Sequence, residues 1–185
     1  MQSSVIKIVG IGDSITFGFP YEPAVSWFNR TAKQLNLEYI NSGINGDTTV
    51  GMLERFYRHV LRHNPSHVII MGGTNDAYAG IAVKEVINNI RTMAETAVEN
   101  GITPILGLPI SCDDVAEENL LRQYREEMRQ FAGDNRIVMI DFHKAMVEEN
   151  GVHIKENLHC DGIHPNHAGY EVMAGVADQV LRSIL

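Results

Sequence analysis

The sequence has few of the residues that hold small secreted domains together or bind polyanions. Its 185 residues include only two cysteines, Cys112 and Cys160, which lie far apart in the chain. Two unreactive thiols fit a reducing cytoplasm better than a disulfide framework. Fifteen Lys and Arg side chains stand against 23 Asp and Glu, which gives a formal net charge of −8. This acidic balance argues against nucleic acid and anionic lipid as partners.

Long hydrophobic runs are absent as well. The longest stretches without a formal charge, His63 to Asn75 and Gly101 to Cys112, are shorter than the roughly 18 apolar residues that a membrane span needs. The first residues lack the basic start of a signal peptide, and the apolar run that follows them carries Lys7. The segment Pro109 to Glu118 carries acidic residues that would repel anionic membranes: Asp113, Asp114, Glu117 and Glu118. We therefore expect a cytoplasmic protein without stable membrane association.

The chain does contain enough apolar residues for a folded domain. Its 44% hydrophobic fraction excludes disorder, and its length corresponds to about one domain, 1–185. Short apolar runs alternate with segments of helical period, which is typical of βαβ units. The predicted strands are Val5 to Ile11, Glu38 to Asn41, His67 to Met71, Thr103 to Leu108 and Ile137 to Ile140.

Apolar residues at helical spacing predict helices between these strands and after the last one. They cover Ala24 to Asn36, Thr48 to His63, Val83 to Val98, Val115 to Phe131 and a C-terminal segment that begins near Asn166. The alternation indicates a three-layer α/β/α domain with a five-stranded parallel sheet in the flavodoxin-like strand order. Because such sheets bind ligands at the carboxyl ends of their strands, functional residues are expected in the segments that follow each strand.

A serine in a Gly-rich turn follows the first strand. The turn lacks the third glycine of a dinucleotide-binding fingerprint, because Ile15 occupies that position. No Lys-Ser or Lys-Thr pair follows that would make a phosphate-binding loop, and Thr16 replaces the second glycine of an α/β-hydrolase elbow. Taken alone, Ser14 is as consistent with a turn or a helix cap as with a nucleophile.

The other groups that an acyl-transfer site needs occur in separate segments. In Asp161-Gly162-Ile163-His164-Pro165 the spacing lets the Asp reach one imidazole nitrogen while the other faces outward. After the second and third strands, Gly46 and Asn75 offer a backbone N–H and an amide that suit an oxyanion, as does the N–H of Ser14. Each residue has an ordinary alternative as part of a turn or a solvated loop. Their joint occurrence at one edge of a sheet favours the catalytic interpretation.

These motifs resemble the SGNH or GDSL hydrolase family. Gly12-Asp13-Ser14 is similar to its first block, Gly46 to its second, Gly73-Thr74-Asn75-Asp76 to its third and Asp161-Gly162-Ile163-His164 to its last. The blocks occur in the family's order and extend over nearly the whole chain. The resemblance implies Ser14 as nucleophile, His164 as base and Asp161 as its partner, with Ser14, Gly46 and Asn75 forming the oxyanion hole.

The resemblance implies a serine esterase that cleaves small acyl esters through an acyl-enzyme, with thioesters or lysophospholipids as further substrates. No cofactor and no metal are expected. Asp13, beside the serine, and Tyr78, after Asn75, are expected to bind the substrate. Two alternatives stay open. The His159 to His167 segment could hold a metal ion in a metal-dependent hydrolase, or the fold could serve as a non-catalytic carbohydrate- or lipid-binding module.

Overall fold

The computed structural model describes residues 6–185 and is built around a parallel β-sheet. Its strands are β1 (Lys7–Gly12), β2 (Glu38–Gly43), β3 (His67–Met71), β4 (Thr103–Gly107) and β5 (Val138–Ile140). Their order in the sheet is β2-β1-β3-β4-β5, and every neighbouring pair is parallel. The predicted α/β class, the five-stranded parallel sheet and the flavodoxin-like order are confirmed. Val5, where the first predicted strand begins, lies outside the described residues.

Helices join the strands and cover both faces of the sheet. They are α1 (Ser14–Phe17), α2 (Trp27–Gln34), α3 (Thr49–His59), α4 (Thr74–Tyr78), α5 (Val83–Glu99), α6 (Val115–Asn135), α7 (Phe142–Met146) and α8 (His167–Ile184). Short 3₁₀ turns occur at Pro23–Val25, Leu61–His63 and Glu156–Leu158. All the predicted helices are present, with shifted ends. For example, α2 begins at Trp27 because the Ser26 hydroxyl caps it by accepting from Phe28 N at 3.1 Å.

Each face of the sheet packs against its own hydrophobic core. Alternate strand residues point to opposite faces, so neighbouring residues on one strand enter different cores. Ile8, Ile69 and Ile105 pack with α2, α7 and α8. Val9, Val68 and Leu106 pack with α3, α5 and α6. The two cores hold the sheet rigidly, so that the segments leaving the carboxyl ends of β1, β2 and β3 start from fixed positions.

The structure differs from the sequence prediction at one acidic residue. Glu118 is only 5% exposed, and its carboxylate pairs with Arg125 in α6, which is also buried. It is therefore not part of the acidic surface expected for Pro109 to Glu118. Asp113 and Asp114 in the same segment are exposed. Within residues 6–185, no helix is long and apolar enough to cross a membrane.

Candidate active site

Ser14 is the first residue of α1 and lies directly beyond the carboxyl end of β1. The carboxyl of Asp13 starts the helix by accepting a hydrogen bond from Ile15 N at 2.9 Å. A side chain at Gly12 would meet the carbonyl oxygen of Met71 at 2.7 Å, so only glycine allows β1 and β3 to pack this closely. Because Ser14 opens the helix, its N–H has no acceptor within the helix and can point at a ligand.

The structure brings Ser14, His164 and Asp161 into one hydrogen-bonded chain. Ser14 Oγ lies 3.1 Å from His164 Nε2, and His164 Nδ1 lies 2.7 Å from Asp161 Oδ2. The second oxygen of Asp161 accepts from the backbone N–H groups of Ile163 and His164 at 3.0 and 2.7 Å. One carboxylate therefore orders both the loop and the imidazole. With the Nδ1 proton directed at Asp161, Nε2 is the acceptor for the hydroxyl of Ser14.

The surroundings favour a charged Asp161 beside a partly shielded imidazole. Burial alone would raise the pKa of Asp161, but the hydrogen bonds from His164 and Ile163 outweigh it and lower the pKa below its ordinary value. The ring of Phe19 packs against the imidazole of His164 with the centroids 4.6 Å apart. The side chain of His164 is only 18% exposed, which limits competition by water for its nitrogens.

Asn75 and Gly46 lie on the segments that follow β3 and β2, the two strands on either side of β1. Asn75 lies in α4 beyond β3, and its Nδ2 donates to the carbonyl oxygen of Asp47 at 2.9 Å. An amide nitrogen carries two protons, so one remains for a ligand. Gly46 has φ +78° and no heavy atom within 4 Å of the position that a Cβ would take. Its backbone is therefore open to an approaching substrate.

Three residues that the sequence analysis did not name, Asp47, Thr49 and Arg55, stabilise these loops together with Asp76. Arg55 Nε donates to Asp47 Oδ2 at 2.7 Å, and Arg55 Nη2 donates to the carbonyl oxygen of Gly12 at 3.0 Å. Thr49 donates to the carboxylate of Asp76 from its backbone N–H at 3.1 Å and from its hydroxyl at 2.6 Å. The signal in the sequence is the run Asp47-Thr48-Thr49 at the start of α3, where the Thr48 side chain caps the helix by accepting from Gly51 N.

The two residues expected to bind substrate occupy different environments. Asp13 is 1% exposed, so its carboxyl has no surface on which to meet a substrate, and its observed role is to cap α1. Burial raises the pKa of Asp13 to about 7, although the hydrogen bond from Ile15 opposes this shift. Tyr78 is 40% exposed at the end of α4, and its hydroxyl donates to the carboxylate of Asp114. A contact between Tyr78 and substrate stays a prediction.

The His159 to His167 segment does not form a set of metal ligands. His159 Nδ1 accepts from Gly162 N at 2.6 Å, and both nitrogens of His164 face Ser14 and Asp161. The ring of His167 stacks on Tyr21 with the centroids 4.0 Å apart. In the part of the chain that the structure describes, no group of three His, Cys, Asp or Glu side chains is arranged to hold a metal ion.

Known proteins that resemble this chain include esterases and GDSL proteins. A lipolytic protein of the G-D-S-L family from Desulfitobacterium hafniense has 31% identity and a TM-score of 0.88, over 94% of this chain and 98% of its own. Esterase TesA from Pseudomonas aeruginosa is 24% identical over 89% of this chain and 82% of its own.

A further relative, the uncharacterized lipoprotein YqeF from Bacillus subtilis, is 34% identical over 60% of this chain, and the match spans 50% of that protein's length. Residues 11–172 match the GDSL-like lipase/acylhydrolase family. This match contains every block on which the resemblance was based, from Gly12 to His164. The chain therefore belongs to the GDSL-like lipase/acylhydrolase family.

Proposed function

We propose that this protein is a serine esterase that hydrolyses carboxylic esters through an acyl-enzyme on Ser14. The observation that carries the proposal is the continuous chain from Ser14 Oγ to His164 Nε2 at 3.1 Å and from His164 Nδ1 to Asp161 Oδ2 at 2.7 Å. A serine hydroxyl is a weak nucleophile until a base accepts its proton, and the base needs a carboxylate to hold its tautomer. These two distances support both roles, His164 as the base and Asp161 as its partner.

The reaction follows from the positions of the three side chains. His164 Nε2 takes the proton of Ser14 as Oγ bonds to the ester carbonyl carbon, and Asp161 stabilises the resulting imidazolium. His164 then gives this proton to the leaving alcohol, and the bond between the alcohol oxygen and the carbonyl carbon breaks. Water repeats the cycle: it loses a proton to His164, bonds to the acyl carbon, and releases the carboxylic acid as Ser14 regains its proton.

The negative oxygen that forms at each addition step needs hydrogen-bond donors fixed in advance. In this proposal the donors are the N–H of Ser14, the N–H of Gly46 and the second amide proton of Asn75. The first is supported by its place at the start of α1, and the second by the open backbone at Gly46. The third is supported by the bond from Asn75 to Asp47, which holds the amide in place before substrate arrives.

Small acyl esters are the proposed substrates, and Tyr78 is proposed to contact them from the end of α4. Phe19, Ile44 and Tyr78 are exposed apolar side chains within a few residues of the carboxyl ends of β1, β2 and β3, at 37%, 41% and 40% exposure. In this proposal they form an apolar rim that takes a short acyl chain. Thioesters fit the same chemistry, because a thiolate is a better leaving group than an alkoxide.

The test is the Ser14→Ala variant assayed on a panel of acetyl, butyryl and octanoyl esters and thioesters. Because the triad acts as a unit, we expect kcat to fall by about 10⁶-fold. Ser183→Ala is the matched control, since Ser183 is an exposed serine near the end of α8. A fluorophosphonate should add to Ser14 in the wild type, which mass spectrometry of the peptides would locate.

The same experiment separates the alternatives. Activity above about a tenth of wild type in Ser14→Ala would exclude Ser14 as nucleophile, since the expected loss is far larger. Loss of wild-type activity on chelation, restored by added metal, would indicate a metal-dependent hydrolase. If the wild type turns over no ester but binds sugars or lipids, it is a binding module.

A cytoplasmic location is part of the proposal and is supported by the two thiols. Cys112 is buried, Cys160 is exposed, and both are free. An exposed free thiol persists in a reducing compartment. Cell fractionation with an antibody to this protein tests the location, and recovery with the membrane or the secreted fraction would contradict it.

A further inference from the structure

The turn after β2 connects the two proposed oxyanion donors that lie outside α1. Asp47 N donates to the carbonyl oxygen of Ile44 at 3.2 Å, which closes a turn containing Gly46. The carbonyl oxygen of Asp47 in turn accepts from Asn75 Nδ2 at 2.9 Å. The position of Asp47 therefore determines where the N–H of Gly46 and the free amide proton of Asn75 point.

Arg55 joins this turn to the strand that carries the nucleophile. Its Nε donates to Asp47 Oδ2 at 2.7 Å, and its Nη2 donates to the carbonyl oxygen of Gly12 at 3.0 Å. The same Gly12 oxygen accepts from Ile44 N at 3.0 Å. Gly12 lies two residues before Ser14. One guanidinium thus spans the end of β1 and the turn, and sets the distance between nucleophile and oxyanion donors.

Stability is a poor explanation for this pair. The side chains of Arg55 and Asp47 are each only 12% exposed, so both charges have lost most of their hydration. A buried ion pair is weak evidence for stability, because the attraction between the two charges must first offset their lost hydration. The planar fork of Arg55 nevertheless reaches two acceptors at fixed angles, which a lysine cannot do.

We propose that Arg55, acting through Asp47, is a positioning residue for the oxyanion hole. The inference rests on the proposed esterase function and extends it to a residue that touches neither the substrate nor the reacting atoms. Arg55 holds Asp47, Asp47 holds the amide of Asn75 and the turn of Gly46, and these two donors meet the charge that develops on the carbonyl oxygen. Its effect therefore belongs to the transition state and not to substrate binding.

The first experiment compares Arg55→Gln with Arg58→Gln, which removes an exposed arginine from the same helix. Arg55→Gln should lower kcat about 10- to 100-fold, because small displacements of catalytic donors cost this much, and should leave KM within about threefold. Arg55→Lys should recover part of the loss, since it retains the charge but not the fork. Arg58→Gln should match the wild type.

A transition-state analogue gives a readout that a merely structural role would not change. A trifluoromethyl ketone forms a tetrahedral adduct with Ser14 that carries the oxyanion, so its affinity should fall in proportion to kcat/KM in Arg55→Gln. The loss of kcat in the double variant Asn75→Ala, Arg55→Gln should be smaller than the product of the two single losses, because Arg55→Gln can then act only through Gly46. If the kcat losses of the two single variants multiply in the double variant, the proposal is overturned. A loss in Arg55→Gln that is confined to KM would also overturn it.

Failure of this inference is distinguishable from failure of the esterase proposal. If Ser14→Ala is inactive while Arg55→Gln has the kcat of Arg58→Gln, the esterase stands and the role of Arg55 is wrong. If Arg55→Gln does not fold, judged by circular dichroism, Asp47→Asn replaces it. This variant removes the charge that Arg55 holds but keeps the side-chain size and the carbonyl that binds Asn75. It should show the same fall in kcat, and an unchanged kcat would overturn the proposal.

Discussion

At the residue scale, Asp13 shows how the side chain next to Ser14 can affect stability. Its carboxyl is buried, and its pKa is raised to about 7 from 3.8 by loss of hydration, with Asp76 and Asp47 adding repulsion. Between these two pH values the folded protein holds the proton while the unfolded chain releases it. The stability from a neutral Asp13 is therefore fully present below about pH 4 and is lost as the pH rises through about 7.

The Asp13→Asn variant should not show this loss of stability at higher pH. Asparagine keeps an acceptor for Ile15 N and so preserves the cap of α1, but it does not titrate. Relative to the wild type, the variant should gain up to about 4 kcal/mol in free energy of unfolding between pH 4 and pH 8. Urea unfolding at pH 4, 6 and 8 measures the difference. Parallel pH dependence of the two proteins would show that Asp13 is ionised in the folded state at all three values.

At the element scale, a buried ion pair joins α6 to the segment that follows β4. Glu118 pairs with Arg125, and its Oε2 accepts from Cys112 N at 3.2 Å. Arg125 Nη1 donates to the carbonyl oxygens of Pro109 and Ile110 at 3.4 and 3.3 Å. Asp113 N, farther along the same segment, donates to the carbonyl oxygen of Gly162 at 2.9 Å. The segment after β4 therefore supports the loop that carries Asp161 and His164.

Removing one charge of this pair should be more damaging than removing both. Glu118→Leu leaves Arg125 buried without its partner, and we expect a loss of about 3–5 kcal/mol in unfolding free energy. The double variant Glu118→Leu, Arg125→Met should be more stable than the single variant, because no buried charge remains. Glu127→Leu, on the exposed face of α6, is the control. Chemical denaturation compares all of them, and a double variant less stable than the single one would contradict the prediction.

The missed elements show where sequence periodicity stops being informative. Helices α1, α4 and α7 have four, five and five residues, which is too short for an apolar repeat to be detected. Strand β3 matched its prediction at both ends, because a strand buried on both faces is a continuous apolar run with sharp limits. Two of the missed helices, α1 and α4, carry Ser14 and Asn75, so the sequence indicated these candidate residues without their local structure.

For the whole molecule, we predict that ester hydrolysis shows no activation at a lipid interface. The large exposed apolar side chains are spread over separate elements, including Tyr57 in α3, Val98 in α5 and Val115 in α6. A lipase activated at an interface needs a sizeable apolar surface that is uncovered on contact. The net charge of −8 also opposes binding to anionic membranes.

The measurement is the initial rate with a partly soluble short-chain triester, taken across its solubility limit. The rate should follow a hyperbola in dissolved substrate and stay level once the limit is passed. Anionic vesicles added to the assay should leave the curve unchanged. A sharp rise in rate beyond the limit would mean that part of this chain opens at an interface.

The sequence by itself determined the class of the sheet and the chemical groups of the candidate site. The spacing of apolar residues and the length of apolar runs distinguish buried strands from amphipathic helices. Because ligands bind at the carboxyl ends of parallel strands, Ser14, Gly46 and Asn75 are expected at one edge of the sheet. Only the tertiary structure decided which groups are bonded and buried. Arg55 reaches Gly12 across 43 positions, and Ser14 reaches His164 across 150. Such contacts, and the burial of Asp13 and Glu118, arise from packing between segments that are distant in the chain. Local sequence patterns do not predict this packing.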